Sequence, residues 1–157
     1  MGLIVLKLDA VLSSVNRLYV EAAPLIYYVE EHPIYLERME AIVAFIEDTP
    51  IDAISSVITL TEVLNQPISK GRTDLERAYR KILLSGYAFR LLPVSQTIAE
   101  SAAHLRAHYK LRTPDALHIA TAIDSECDGF LTNDNGLKRV TELRIIALDE
   151  LELDSPP

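Results

Sequence analysis

Short apolar stretches alternate with longer segments of helical periodicity along most of this chain. A strand, a helix and a second strand in that order require a crossover, and crossovers make neighbouring strands parallel. The helices then cover both faces of the sheet. The alternation predicts an α/β fold whose parallel sheet is buried between helices. Sheets of this kind bind ligands outside the carboxyl ends of their strands, so chemistry is to be sought there.

Leu18-Tyr19-Val20 is the first strand of the series. Pro24 suits the start of a helix, which His32-Pro33 breaks. Met39, Ile42, Val43 and Ile46 recur at helical spacing. Residues 52–55 form a second strand, and a helix runs from near Thr59 to Pro67. Leu75, Tyr79, Ile82 and Leu83 mark a helix stopped at Gly86. Residues 89–94 are a third strand. Ile98, Ala102, Leu105 and Tyr109 form another helical stripe. Thr113-Pro114 opens a helix that ends before Asp128-Gly129. Phe130-Leu131-Thr132 is a fourth strand, a short helix follows Asn133-Asp134, and residues 143–148 are the fifth.

The length, 157 residues, fits one domain. Hydrophobic residues at 49% and charged residues at 24% exclude disorder. A single cysteine, Cys127, excludes a disulfide framework and a multi-cysteine zinc site. No run is long enough to span a membrane. The apolar start Leu3-Ile4-Val5-Leu6 meets Lys7 and Asp9 without a basic leader, which is not the pattern of a signal peptide. A cytoplasmic protein without membrane contact is expected.

Four acids fall at strand ends: Glu21 after the first strand, Glu62 after the second, Asp115 behind Thr113-Pro114, and Asp134 after the fourth. Each has a local explanation. Thr59-Leu60-Thr61-Glu62 fits a capping box. Thr113 suits an N-cap with Pro114 behind it, and Asp134 suits the cap of its short helix. Together they ask for more. Carboxylates 4 Å apart repel by about 4 kcal/mol at an effective dielectric of 20. A cluster of them recruits a cation, and carboxylate oxygen selects hard ions such as Mg²⁺ or Mn²⁺. Ions held by acids and water serve phosphoryl transfer. No glycine-rich phosphate loop and no nucleophilic triad motif accompanies them.

The stretch from Leu18-Tyr19-Val20-Glu21-Ala22-Ala23-Pro24 through Glu30 resembles the opening of PIN-domain ribonucleases. Ser55-Ser56-Val57-Ile58-Thr59-Leu60-Thr61-Glu62-Val63-Leu64, Thr113-Pro114-Asp115-Ala116-Leu117-His118 and Phe130-Leu131-Thr132-Asn133-Asp134 complete the match in order and spacing. The resemblance spans residues 18–150. It leaves residues 1–17 as an N-terminal extension and residues 151–157 as an acidic, frayed tail. It implies a three-layer α/β/α sandwich with a central, mostly parallel sheet. It also implies Mg²⁺- or Mn²⁺-dependent cleavage of single-stranded RNA. Many bacterial members are VapC-type toxins, dimeric and neutralised by a small antitoxin. Glu21, Glu62, Asp115 and Asp134 fall on the catalytic positions. Glu21, Asp115 and Asp134 would hold metal, and Glu62 would complete the cluster or orient the attacking water. Thr113, Thr132, Asn133 and His118 would contact substrate or order the site, although packing alone also accounts for His118.

The first position departs from the family pattern, which places Asp there followed by Thr or Ser. Here Glu21 is followed by Ala22. The extra methylene shifts the carboxylate by about 1.5 Å, a scale at which misplacement can cost about 10²-fold in rate. A degenerate module that binds RNA or a partner without cleaving is therefore the alternative. Asp9 is a rival for the first acid. Tyr27 and Tyr28, just after Glu21, read as packing residues, with base stacking as the other use. Cys127 receives no role.

The formal charge is −8, which taken whole argues against nucleic-acid binding. It is unevenly spread. Residues 70–112 carry nine Lys or Arg against three acids. Arg72, Arg80, Lys81, Lys110 and Arg112 are candidates to hold an RNA backbone beside the acids.

Overall fold

A computed structural model of the chain describes residues 5–154; the outermost residues of the expected extension and tail lie outside it. The elements in order are β1 (Leu6–Lys7), α1 (Leu8–Ser13), β2 (Arg17–Val20), α2 (Ala22–Val29), α3 (Leu36–Asp48), β3 (Asp52–Ser56), α4 (Val57–Ser69), α5 (Thr73–Leu84), β4 (Arg90–Leu92), α6 (Gln96–Tyr109), α7 (Thr113–Asp124), β5 (Gly129–Thr132), β6 (Ile145–Ala147) and β7 (Leu151–Glu152). Single 3₁₀ turns at Asn135–Arg139 and Leu148–Glu150 flank β6.

The main sheet has five parallel strands in the order β4-β3-β2-β5-β6. Alternate side chains of β2 face opposite layers. Leu18 and Val20 enter one core with α1 to α5. Tyr19 enters the other with Ile54, Phe130, α6 and α7. The fold is thus the expected α/β/α sandwich. From β2 the chain builds outward through β3 to β4, then returns to the other side of β2 for β5 and β6. The order reverses between β2 and β5, the place at which sheets of this kind form a crevice outside the carboxyl ends.

Several local readings are corrected. The helix after β3 begins at Val57, because the Ser56 hydroxyl caps it by accepting from the Ile58 N–H at 3.2 Å. Thr59 is therefore inside α4, and the capping box with Glu62 does not form. Helix α4 also runs through the buried Pro67 to Ser69 instead of ending there. A proline lacks the N–H of one helical bond and clashes with the preceding turn; near the last turn, burial of its ring compensates. Arg112, not Thr113, occupies the N-cap of α7, and Thr113 is the first helical residue.

Residues 6–13 are built into the molecule. Leu8, Val11 and Leu12 of α1 lie in the first core, and β1 pairs with β7 in parallel, Leu6 opposite Leu151. Leu151–Glu152 are accordingly ordered as a strand, with Leu151 buried, rather than frayed.

Candidate active site

The crevice between β2 and β5 receives acids from four separate segments. Glu21 is the residue after β2 and the N-cap of α2. Its side chain shares the face of Tyr19, two residues back along an alternating strand. Glu21 is only 8% exposed. Burial pushes its pKa above the usual carboxyl range; Thr132 and His118 pull it back, while Asp115 and Glu62 push it further up. These acids therefore lie close enough to feel one another.

Thr132 ends β5 and ties the first acid to the last. Its hydroxyl donates to Glu21 Oε1 and accepts from the Asp134 N–H at 2.9 Å. Asp134 caps the following 3₁₀ turn, as expected, accepting from the Gly136 N–H at 2.8 Å. Asn133 donates from Nδ2 to the Tyr27 hydroxyl at 3.0 Å. Its buried Oδ1 has no partner among the described residues. Tyr27 stacks on Tyr35 with ring centroids 4.8 Å apart and is only partly buried.

Asp115 and Glu62 enter from helices on opposite faces. Asp115 is in the first turn of α7, where Arg112 holds it through Nε at 3.1 Å. The Arg112 side chain is 79% exposed. Asp115 first, then Asp134 and Glu62, raise its pKa. A protein cation thus sits at the mouth of the acids. Glu62 of α4 meets the buried His118 of α7, with His118 Nε2 2.5 Å from Glu62 Oε1. His118 is both a packed residue and a partner of the cluster.

Other candidates lie elsewhere or are already engaged. Arg72 pairs with Asp74 at 2.8 Å and Arg80 with Glu76 at 3.2 Å. Lys81 lines a groove between α2, α3 and α5. Lys110 ends α6 in the left-handed conformation. Thr113 is exposed at the start of α7. Asp9 lies in the first turn of α1, where a hydrogen bond with Asp154 raises its pKa; it is not among the four. Cys127 is buried, and burial raises its thiol pKa, which suits an inert side chain.

Two polar residues escaped sequence reasoning. The Tyr19 hydroxyl stands 2.5 Å from His118 Nδ1. Ser55 of β3 donates to the Val20 carbonyl at 2.7 Å and pairs with Thr59 Oγ1 at 2.8 Å. Strand alternation placed Tyr19 on the face of Glu21, but its partner is 99 residues away.

The donor chemistry fits a hard divalent ion, for the candidates are carboxylates and one of them, Asp115, already attracts a guanidinium. The shell is not closed as it stands. Among the described residues no three His, Cys, Asp or Glu side chains are close enough to hold one ion together. Thr132, Arg112 and His118 hold three of the four acids instead.

A family model for the PIN domain matches residues 18–143. The chain belongs to the PIN domain family. No curated protein matches it. Solved PIN structures resemble its fold. A VapBC2 complex from Rickettsia felis, bound to a DNA fragment from its promoter, superposes with a TM-score of 0.69 at 16% identity; the match covers 83% of this chain and 98% of that one. A toxin–antitoxin complex from Klebsiella pneumoniae gives 0.62 at 23% identity, covering 83% and 96%. VapC20 of Mycobacterium tuberculosis, a sarcin–ricin loop cleaving toxin, gives 0.66 at 15% identity, covering 81% and 98%. The PIN match begins with β2, so β1 and α1 precede it.

Proposed function

We propose that this PIN domain is a Mg²⁺- or Mn²⁺-dependent endoribonuclease that cuts single-stranded RNA. The observation that supports the reading is that Glu21 feels the charges of Glu62 and Asp115 and is tied through Thr132 to the backbone of Asp134, beside the point where the strand order reverses. Asp115, Asp134 and Glu21 would hold the metal. When bound, the ion supplies a nucleophilic water and neutralises charge on the scissile phosphate. Arg112 draws the RNA backbone toward the crevice, Thr132 fixes the first and last acids relative to each other, and Asn133 orders the loop between them.

The neighbouring toxin–antitoxin structures support a toxin neutralised by a small antitoxin protein; we propose that it acts in the cytoplasm as a homodimer. No helix of the described residues is long and apolar enough to cross a membrane. A groove of about 620 Å³ gives the antitoxin a seat. Its walls include Tyr28, Leu36, Ile82 and the 75% exposed Tyr87. Part of an amphipathic helix fills a groove of this character.

The test is cleavage of a mixed-sequence single-stranded RNA by the purified protein. Cleavage with Mn²⁺, abolished by EDTA and by Asp115→Asn, is expected. Tight RNA or antitoxin binding without any cleavage would instead favour the degenerate module, for which the buried, Thr132-bound Glu21 is the structural argument.

A further inference from the structure

Three side chains line up behind the crevice. Tyr19 of β2 is fully buried, His118 of α7 is 2% exposed, and Glu62 of α4 reaches solvent. Tyr19 stacks on Phe130 with ring centroids 5.0 Å apart and meets the His118 ring edge-on at 5.6 Å. Its hydroxyl lies 2.5 Å from His118 Nδ1, and His118 Nε2 lies 2.5 Å from Glu62 Oε1. Toward an ionised carboxylate, which only accepts, the ring would donate from Nε2. A neutral imidazole then has a bare Nδ1, and the phenol is the donor that meets it.

We propose that Tyr19 and His118 are positioning residues that hold Glu62 at the crevice as the proton acceptor for the attacking water, and not as a metal ligand. The inference rests on the nuclease reading above. Its support is the contrast between two acids. Asp115 is held by an exposed arginine that water can solvate once released. Glu62 is held by a buried ring anchored to the sheet. Drawing Glu62 Oε1 onto an ion would leave the buried His118 Nε2 without its acceptor, while the Tyr19–His118 bond remained. With Oε1 bound to His118, Oε2 remains to accept a proton from water. As the water oxygen bonds to phosphorus, Glu62 takes one of its protons. The bond to the departing ribose oxygen breaks, and that oxygen receives a proton from solvent.

The experiment compares wild type with Tyr19→Phe, His118→Gln and His118→Leu. It reads kcat and KM on single-stranded RNA with Mn²⁺, Mn²⁺ affinity by calorimetry, and the His118 tautomer from imidazole ¹⁵N shifts of the metal-free protein. The wild type is expected to show the Nε2–H tautomer. His118→Leu is expected to lose about 10²-fold in kcat, at the lower end of proton-transfer contributions, with KM and Mn²⁺ affinity unchanged. His118→Gln, whose amide can donate from near the Nε2 position, is expected to recover part of that loss. Tyr19→Phe, which keeps its ring, is expected to lose roughly tenfold, the usual worth of an outer hydrogen-bond partner. An active wild type with unaltered kcat in Tyr19→Phe and in folded His118→Leu overturns the inference and leaves the nuclease standing. So does a fall in Mn²⁺ affinity parallel to kcat, or an Nδ1–H tautomer. A Mn²⁺-loaded wild type that cuts no RNA overturns the nuclease reading and this inference together.

Discussion

Glu21 serves two opposing ends. Its carboxylate is useful for metal only when ionised, yet burial favours the protonated form. A carboxyl whose folded pKa is raised contributes stability that is complete below its ordinary value of 4.5 and is lost as pH rises through the folded value. Glu21→Gln removes that loss. The melting temperature of metal-free Glu21→Gln is therefore expected to exceed that of wild type at neutral pH, by about 2–4 °C for each kcal/mol recovered. The gap should close toward acid pH, and the variant should gain little from Mn²⁺. A wild type equally stable at both ends of the range would contradict this. Arg112 stands where a metal would compete with it. Arg112→Ala is expected to tighten Mn²⁺ binding several-fold by calorimetry, because Asp115 loses a rival cation; weaker binding would mean that Arg112 supports the acids instead. The sequence offers the four acids as candidates, Glu21 and Asp134 because they follow strands and Asp115 because it opens a helix behind Thr113-Pro114. Tyr19 and Ser55 were not legible there, because their roles come from partners supplied by other segments.

At the level of elements, the reversal of strand order beside β2 does most to make the site, and the edges of the sheet hold it in register. Asp52 of β3 receives Arg90 of β4 at 2.7 Å and Arg17 of β2 at 2.9 Å. The bond to Arg90 first, then that to Arg17, lowers the Asp52 pKa. A depressed carboxyl pKa contributes stability that is present above its ordinary value of 3.8 and lost as pH falls through the folded value. Asp52→Asn is expected to cost about 1 kcal/mol at neutral pH, since the pair is partly solvated. The difference should vanish in acid denaturant titrations. Helix α1 makes a second claim. Leu12 has no exposed surface, so Leu12→Ala is expected to destabilise by about 2–5 kcal/mol in urea; a change under 0.5 kcal/mol would show that α1 is dispensable. Strand and helix order was readable from periodicity. The two-residue strands β1 and β7 were not, because each exists through pairing with a segment at the other end of the chain. The start of α4 was misplaced because Ser56 and Thr59 are both plausible caps, and tertiary position decided between them.

For the whole molecule, the charge of −8 conceals a basic middle, but the fold spends much of that middle on ion pairs. Arg72, Arg80 and Arg90 all have carboxylate partners. RNA affinity is therefore expected to fall only modestly with salt. Arg112→Ala should reduce the log–log slope by about 0.7, the value for one contact to a single strand. An unchanged slope would remove Arg112 from the RNA path. The acid-rich remainder supplies the crevice, and the account stands on its use as a single metal site. Anomalous diffraction from a crystal equilibrated with Mn²⁺ tests this most directly. The account predicts a manganese peak in contact with Asp115 and Asp134, with Arg112 displaced and Glu62 still bonded to His118. Absence of a peak there at saturating Mn²⁺, or a peak held only by acids outside the crevice, would contradict it.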